Sequence, residues 1–186
     1  MSLRSLTEAY ISVDVETAGP NPTDYSLLTI GACLVFDPQR TFYIELQPVN
    51  NKAIPAALAV CQLSLEELAR RGAPPAEAMA RFEHWLATEV PRNLKPVFVA
   101  FNAVFDWMFV NDYFHRFLGR NPFGHSGLDM KAFYMGMVGV PWTRTGMRHV
   151  SAHYQLDHPI THHALQDAQD QAELFRRMLT QRELNL

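Results

Sequence analysis

The run Tyr10-Ile11-Ser12-Val13-Asp14-Val15-Glu16-Thr17-Ala18-Gly19 constrains this chain more than any other stretch. It reads as a β-strand that ends in a carboxylate pair. Strand side chains alternate with a period of two, so Ser12, Asp14 and Glu16 share one face of the pleat. Ile11, Val13 and Val15 take the other face. Both carboxylates therefore point the same way, just before the chain turns at Gly19-Pro20. Like charges on neighbouring positions of a hydrophobic strand repel, and they cost stability unless a cation sits between them. Hard divalent cations take oxygen ligands of this kind. Two solvated acids on a strand rim would fit the pair equally well, so the rest of the chain decides.

A chain of 186 residues fits one domain, 1–186, with a sizeable core. Its 16 Lys and Arg against 19 Asp and Glu leave a formal net charge of −3. That balance argues against coating long nucleic acid by charge alone, and leaves room for an enzyme that grips only a strand end. Cys33 and Cys61 lie in apolar or mixed runs and are expected to be buried thiols; their spacing does not fit a zinc site. Met1 to Tyr10 lacks an apolar signal region, and no apolar run approaches the ~18 residues of a membrane span. Cytoplasm is the expected location, with no membrane partner.

Residues 27–36 predict a second strand, apolar enough to be buried on both faces. Asp37-Pro38-Gln39-Arg40 predicts a turn, and Thr41 to Val49 alternates as a third strand. Ser64 with Glu67 three residues on is a capping-box pattern. Ala76 to Val90 has helical apolar spacing, with Phe82 and Trp85 expected in the core. Pro96 to Phe101 reads as a short buried strand that runs into a helix from Asn102 to about Leu118. Asp129–Val138 and Gly146–Tyr154 read as two short helices, and Thr161–Leu184 as the last and longest. The expected class is α/β: an antiparallel three-strand meander joined to further strands in one mixed sheet, flanked by helices, with one active edge.

Three more groups carry chemistry. Asp106 lies where a buried strand gives way to a helix, which suits either a site at a strand's carboxyl end or a helix N-cap. Asp167 lies early in the last helix, suited to a site or to a solvated first turn. His162 precedes it by five residues, in a chain with eight histidines. Asn102 either orients a ligand or caps a turn. Phe105, beside Asp106, is a candidate to stack on a base, whereas Phe101, Trp107 and Phe109 are expected in the core.

In order, the chain shows D-x-E at Asp14-Val15-Glu16, N-x-x-F-D at Asn102 to Asp106, and H-x-x-x-x-D at His162 to Asp167. This set resembles the DEDDh 3′–5′ exonucleases, whose fold is ribonuclease H-like. Asp14 to Gly19 and Arg120-Asn121-Pro122-Phe123 are similar to the ribonuclease T branch, and less closely to proofreading subunits of bacterial replicative polymerases. Pro20 departs from that branch, which has a base-stacking aromatic residue there. The resemblance implies hydrolysis at the 3′ end of single-stranded RNA or DNA, with release of nucleoside 5′-monophosphates. It implies two Mg²⁺ or Mn²⁺ ions, roughly 3.5–4 Å apart, about the scissile phosphate. Asp14, Glu16 and Asp167 would be the main ligands, Asp106 would act through water, and His162 would be the general base. Thr17, Asn102 and Phe105 would hold the substrate. A homodimer is implied as well. The alternative is a catalytically silent nucleic-acid-binding or polymerase-docking module, which would usually have lost a carboxylate; here all four remain. His163 competes with His162 for the catalytic role if the last helix already includes it. Pro159 and Thr161 favour a later helix start, and so favour His162.

Overall fold

A computed structural model describes residues 7–156 and 161–184. Five strands form one mixed sheet in the order β3-β2-β1-β4-β5. They are β1 (Glu8–Thr17), β2 (Leu27–Leu34), β3 (Asp37–Glu45), β4 (Lys95–Ala100) and β5 (Gly127–Asp129). β1, β2 and β3 make the antiparallel meander, while β4 joins β1, and β5 joins β4, in parallel. The helices are α1 (Pro55–Cys61), α2 (Leu65–Arg71), α3 (Pro75–Glu89), α4 (Ala103–Leu118), α5 (Met130–Val138), α6 (Met147–Tyr154) and α7 (Ala164–Leu184). None in the described residues is long and apolar enough to cross a membrane.

The alternation in β1 sorts its side chains onto the two layers. Ile11, Val13 and Val15 join Phe82 of α3 and Phe109 and Phe114 of α4 in one core. On the opposite layer, Cys33 and Val99 pack with Met130, Val150 and Phe175 of α5, α6 and α7. β2 is buried at all but its last position, as an apolar strand between two helical layers must be. Cys33 and Cys61 are both buried free thiols. At the start of α2 the Ser64 hydroxyl accepts from the Glu67 amide at 3.4 Å.

Several boundaries differ from the sequence expectation. The predicted turn at Asp37–Arg40 is strand, and the chain reverses at Val35-Phe36 instead. The Val35 amide donates to the Tyr10 carbonyl, which pins that tight reversal to β1. Pro38 is tolerated because β3 is a sheet edge, where a missing N–H costs no ladder bond. The last helix begins at Ala164 rather than Thr161. Pro159 lies outside the described residues. α1 and the short strand β5 carry little periodic signal and are found only in the structure.

Gly31 decides how close α7 comes to the sheet. A Cβ there would lie 2.2 Å from the Ala164 carbonyl carbon and 2.2 Å from the Leu165 nitrogen. Both are backbone atoms, which cannot swing aside. Gly31 is also the register partner of Asp14. Its missing side chain therefore lets the first turn of α7, with Asp167, settle beside the acidic strand. Gly31→Ala should destabilise the fold by about 1–3 kcal/mol or more, as overpacked cores do. Urea unfolding checks this, and an unchanged midpoint would contradict the close-packing account.

Candidate active site

The parallel pairing of β1, β4 and β5 gathers their carboxyl ends at one edge, where open α/β sheets bind ligands. Asp14 and Glu16 come from the end of β1, and Asp106 from the first turn of α4, directly after β4. Asp167 comes from the first turn of α7, and His162 from the segment leading into it. The structure thus brings together all five residues that the sequence singles out for catalysis.

Each acid is held by a specific device. β4 pairs with β1 only as far as Ser12. Beyond that point the Val15 amide donates to Asp106 Oδ1 at 3.1 Å, so a carboxylate takes the place of a strand. Asp106 is therefore not an N-cap. That position belongs to Asn102, which sits in left-handed backbone (φ 67°) and makes no capping side-chain bond. Asn102 Oδ1 instead accepts from Lys131 Nζ at 3.3 Å. Asp167 takes three donors: the Thr161 amide at 2.9 Å and hydroxyl at 2.8 Å on Oδ1, and the His162 amide at 2.8 Å on Oδ2. These bonds hold His162 at φ 56°, a conformation that ordinarily favours glycine.

Both histidines precede α7 and are exposed, but they face different partners. A ring nitrogen of His162 and carboxylate oxygens of Glu16 and Asp167 all lie within 4.8 Å of one another, a group able to hold a metal ion. His163 stacks on Tyr43 of β3, centroids 4.9 Å apart and planes 17° from parallel. Thr17 is buried, and its hydroxyl donates to the Gly19 carbonyl at 2.9 Å, closing the turn after β1. Phe105 is half-buried against Phe109. Its neighbour Val104 is 70% exposed and is the more open apolar group on that turn.

Two residues at the site carry no motif. Gln171, one turn after Asp167, donates from Nε2 to Asp14 Oδ1 at 2.7 Å. Its Oε1 accepts from the Phe101 amide at 2.8 Å, which ties Asp14 to the end of β4. Its only sequence signal is a polar side chain inside the apolar stripe of α7. Asp129, at the end of β5, accepts from the Ala103 amide at 2.6 Å and the Ala132 amide at 2.7 Å. One carboxylate thus steadies the starts of both α4 and α5. Arg120 and Asn121, by contrast, serve the scaffold: Arg120 pairs with Glu83 at 2.6 Å, and Asn121 bonds Asn111 at 3.0 Å.

The electrostatics follow from burial. Burial, then the charges of Asp106, Glu16 and Asp167, hold the Asp14 carboxyl well above the usual carboxylate range, with the Gln171 bond opposing. Burial, then Asp167 and Asp106, push Glu16 up to about 8. Burial pushes Asp106 up to about 8 against the pull of two backbone amides, with Asp129 adding to the rise. No cationic side chain figures among these influences. A pocket of crowded carboxylate oxygens with the His162 imidazole, and with no cationic side chain among these influences in the described residues, is a donor set that fits hard divalent metal.

Such an edge, with a histidine beside four acids on a mixed sheet, is suited to metal-assisted hydrolysis. Residues 11–175 match the ribonuclease T family model, described as exonuclease. The chain belongs to that family and is a 3′–5′ exonuclease of its DEDDh group, a hydrolase of nucleic acid. It is 45% identical over 174 residues to the 3′-5′ DNA exonuclease Cap18 of Escherichia coli, covering 94% of this chain and 93% of that one. The fold is similar to the nuclease domain of 3′hExo, a DEDDh family member, bound to rAMP (TM-score 0.78, 17% identity, 95% and 94% covered). It is also similar to the zinc-bound complex of E. coli exonuclease I with single-stranded DNA (TM-score 0.67, 19% identity, 93% and 40% covered).

Glu16 and Asp106, at about 8, bind protons more tightly in the folded chain than unfolded, where carboxyls titrate near 4. Folding therefore takes up protons between these values, and raising the pH through that window removes stability. Without metal, the melting temperature should fall between about pH 5 and about pH 9. Calorimetric scans in chelator check this; a rise over that range would contradict the protonation scheme.

Proposed function

We propose that the chain removes nucleotides one at a time from the 3′ end of single-stranded DNA, releasing 5′-monophosphates. The observation that carries the reading is the convergence of Glu16, His162 and Asp167 within 4.8 Å, beside half-buried Asp14 and buried Asp106. DNA is preferred because the 45% identical relative is a 3′-5′ DNA exonuclease. Asp14, Glu16 and Asp167 would hold two Mg²⁺ or Mn²⁺ ions, with Asp106 assisting through water. Bound there, such ions would supply positive charge to offset that of the phosphate and of the reacting oxygens.

The chain's own residues do the rest. An imidazole nitrogen of His162 takes the proton of the attacking water, a task suited to its near-neutral reference pKa. The water oxygen forms a bond to phosphorus as the bond to the preceding nucleotide's O3′ breaks. The products are a nucleoside 5′-monophosphate and a strand with a new 3′-hydroxyl. Asp167 fixes the His162 backbone through its amide, so one side chain sets both an acid position and the base position. Thr17, Asn102 and Phe105 border the space where the 3′ nucleotide would lie. A net charge of −3 suits a site that holds a strand end rather than a long track.

Single-turnover digestion of a 5′-labelled single strand with Mn²⁺ tests this reading. The wild type should shorten it from the 3′ end and leave a circular strand intact. His162→Ala should slow cleavage by ~10²–10⁴-fold, and His163→Ala far less. Rapid cutting of the circle, or the reverse order of the histidines, would contradict the assignment.

A further inference from the structure

We propose that Trp142, backed by Lys131, is a stacking platform for a base of the substrate strand upstream of the scissile phosphate. The inference rests on the single-strand reading above and adds a contact that the catalytic motifs do not contain. β5 runs parallel to β4, so its last residue, Asp129, and Lys131 in the first turn of α5 lie at the same edge as Asp14 and Glu16. Lys131 Nζ bonds Asn102 Oδ1 at 3.3 Å, and Asn102 lies one helical turn before Asp106. The same ammonium sits 4.4 Å from the centre of the Trp142 ring. Asn102, Lys131 and Trp142 thus form a continuous line from the start of α4, which carries Asp106, out to solvent.

Trp142 is 52% exposed on a short 3₁₀ turn (Trp142–Arg144), with Arg144 exposed beside it. A large indole left half in water is unusual, because burial would stabilise it. The other exposed rings have different surroundings. Phe36 lies at the β2–β3 reversal, next to Tyr10 near the opposite end of β1. Tyr43 is stacked on His163. At Trp142, a cation under an open indole offers both things a single strand needs: positive charge near its phosphates and a flat face for a base. Stacking of this kind tolerates any sequence, which suits an enzyme that must pass every nucleotide. Lys131 and Trp142 hold the strand just beyond Asn102 and leave the reacting atoms to the acids and His162.

The test compares oligo(dT) of twelve nucleotides with the dinucleotide dTpdT, both with Mn²⁺. Trp142→Ala should raise KM for the longer strand by about tenfold with kcat unchanged, and leave the dinucleotide kinetics as in wild type. Trp142→Phe should restore most of the loss. A Trp142→Ala enzyme equal to wild type on the longer strand would overturn the platform, as would equal losses on both substrates, which would mark a merely structural residue. If the wild type itself degrades neither substrate, the single-strand reading fails first, and the platform with it.

Discussion

Carboxylates repel, and this fold spends much of its architecture on holding four of them together. Asp14 and Glu16 are delivered by the period of a single strand. Asp106 is drawn in because the Val15 amide has no β4 partner beyond Ser12. Asp167 arrives because Gly31 has no side chain to keep α7 off the sheet. Gln171 then ties Asp14 to the end of β4. The outcome is carboxyl groups pushed upward by burial and by one another, a state that a divalent cation would relieve.

The same devices order the histidines. Asp167 takes the Thr161 and His162 donors, which holds the peptide at His162 in left-handed backbone. The Tyr43 ring takes His163. Two adjacent histidines of the same chemical type are thereby given different surroundings by their neighbours alone.

What the sequence makes legible is what periodicity and local spacing encode. The two-residue alternation of β1 places both acids on one face, and the spacings of N-x-x-F-D and H-x-x-x-x-D locate the remaining catalytic candidates. Features set by tertiary pairing are not legible. Asp37-Pro38 is a strong local turn signal, yet the edge position of β3 and the Val35–Tyr10 bond move the reversal two residues earlier. β5 has three residues, too few for any pattern. Gln171 looks like a flaw in an apolar stripe until Asp14 and Phe101 are placed beside it. The Tyr43–His163 stack depends on how α7 lies across β3, which neither segment reveals alone.

At neutral pH the raised carboxyls of this edge hold protons that bound cations would displace. Calorimetric titration of Mn²⁺ at neutral pH, repeated in two buffers of different ionisation enthalpy, tests it most directly. Because Glu16 and Asp106 titrate at about 8, binding should expel protons, and the apparent enthalpy should differ between the buffers accordingly. Absence of binding, or binding with identical enthalpies in both buffers, would contradict the account.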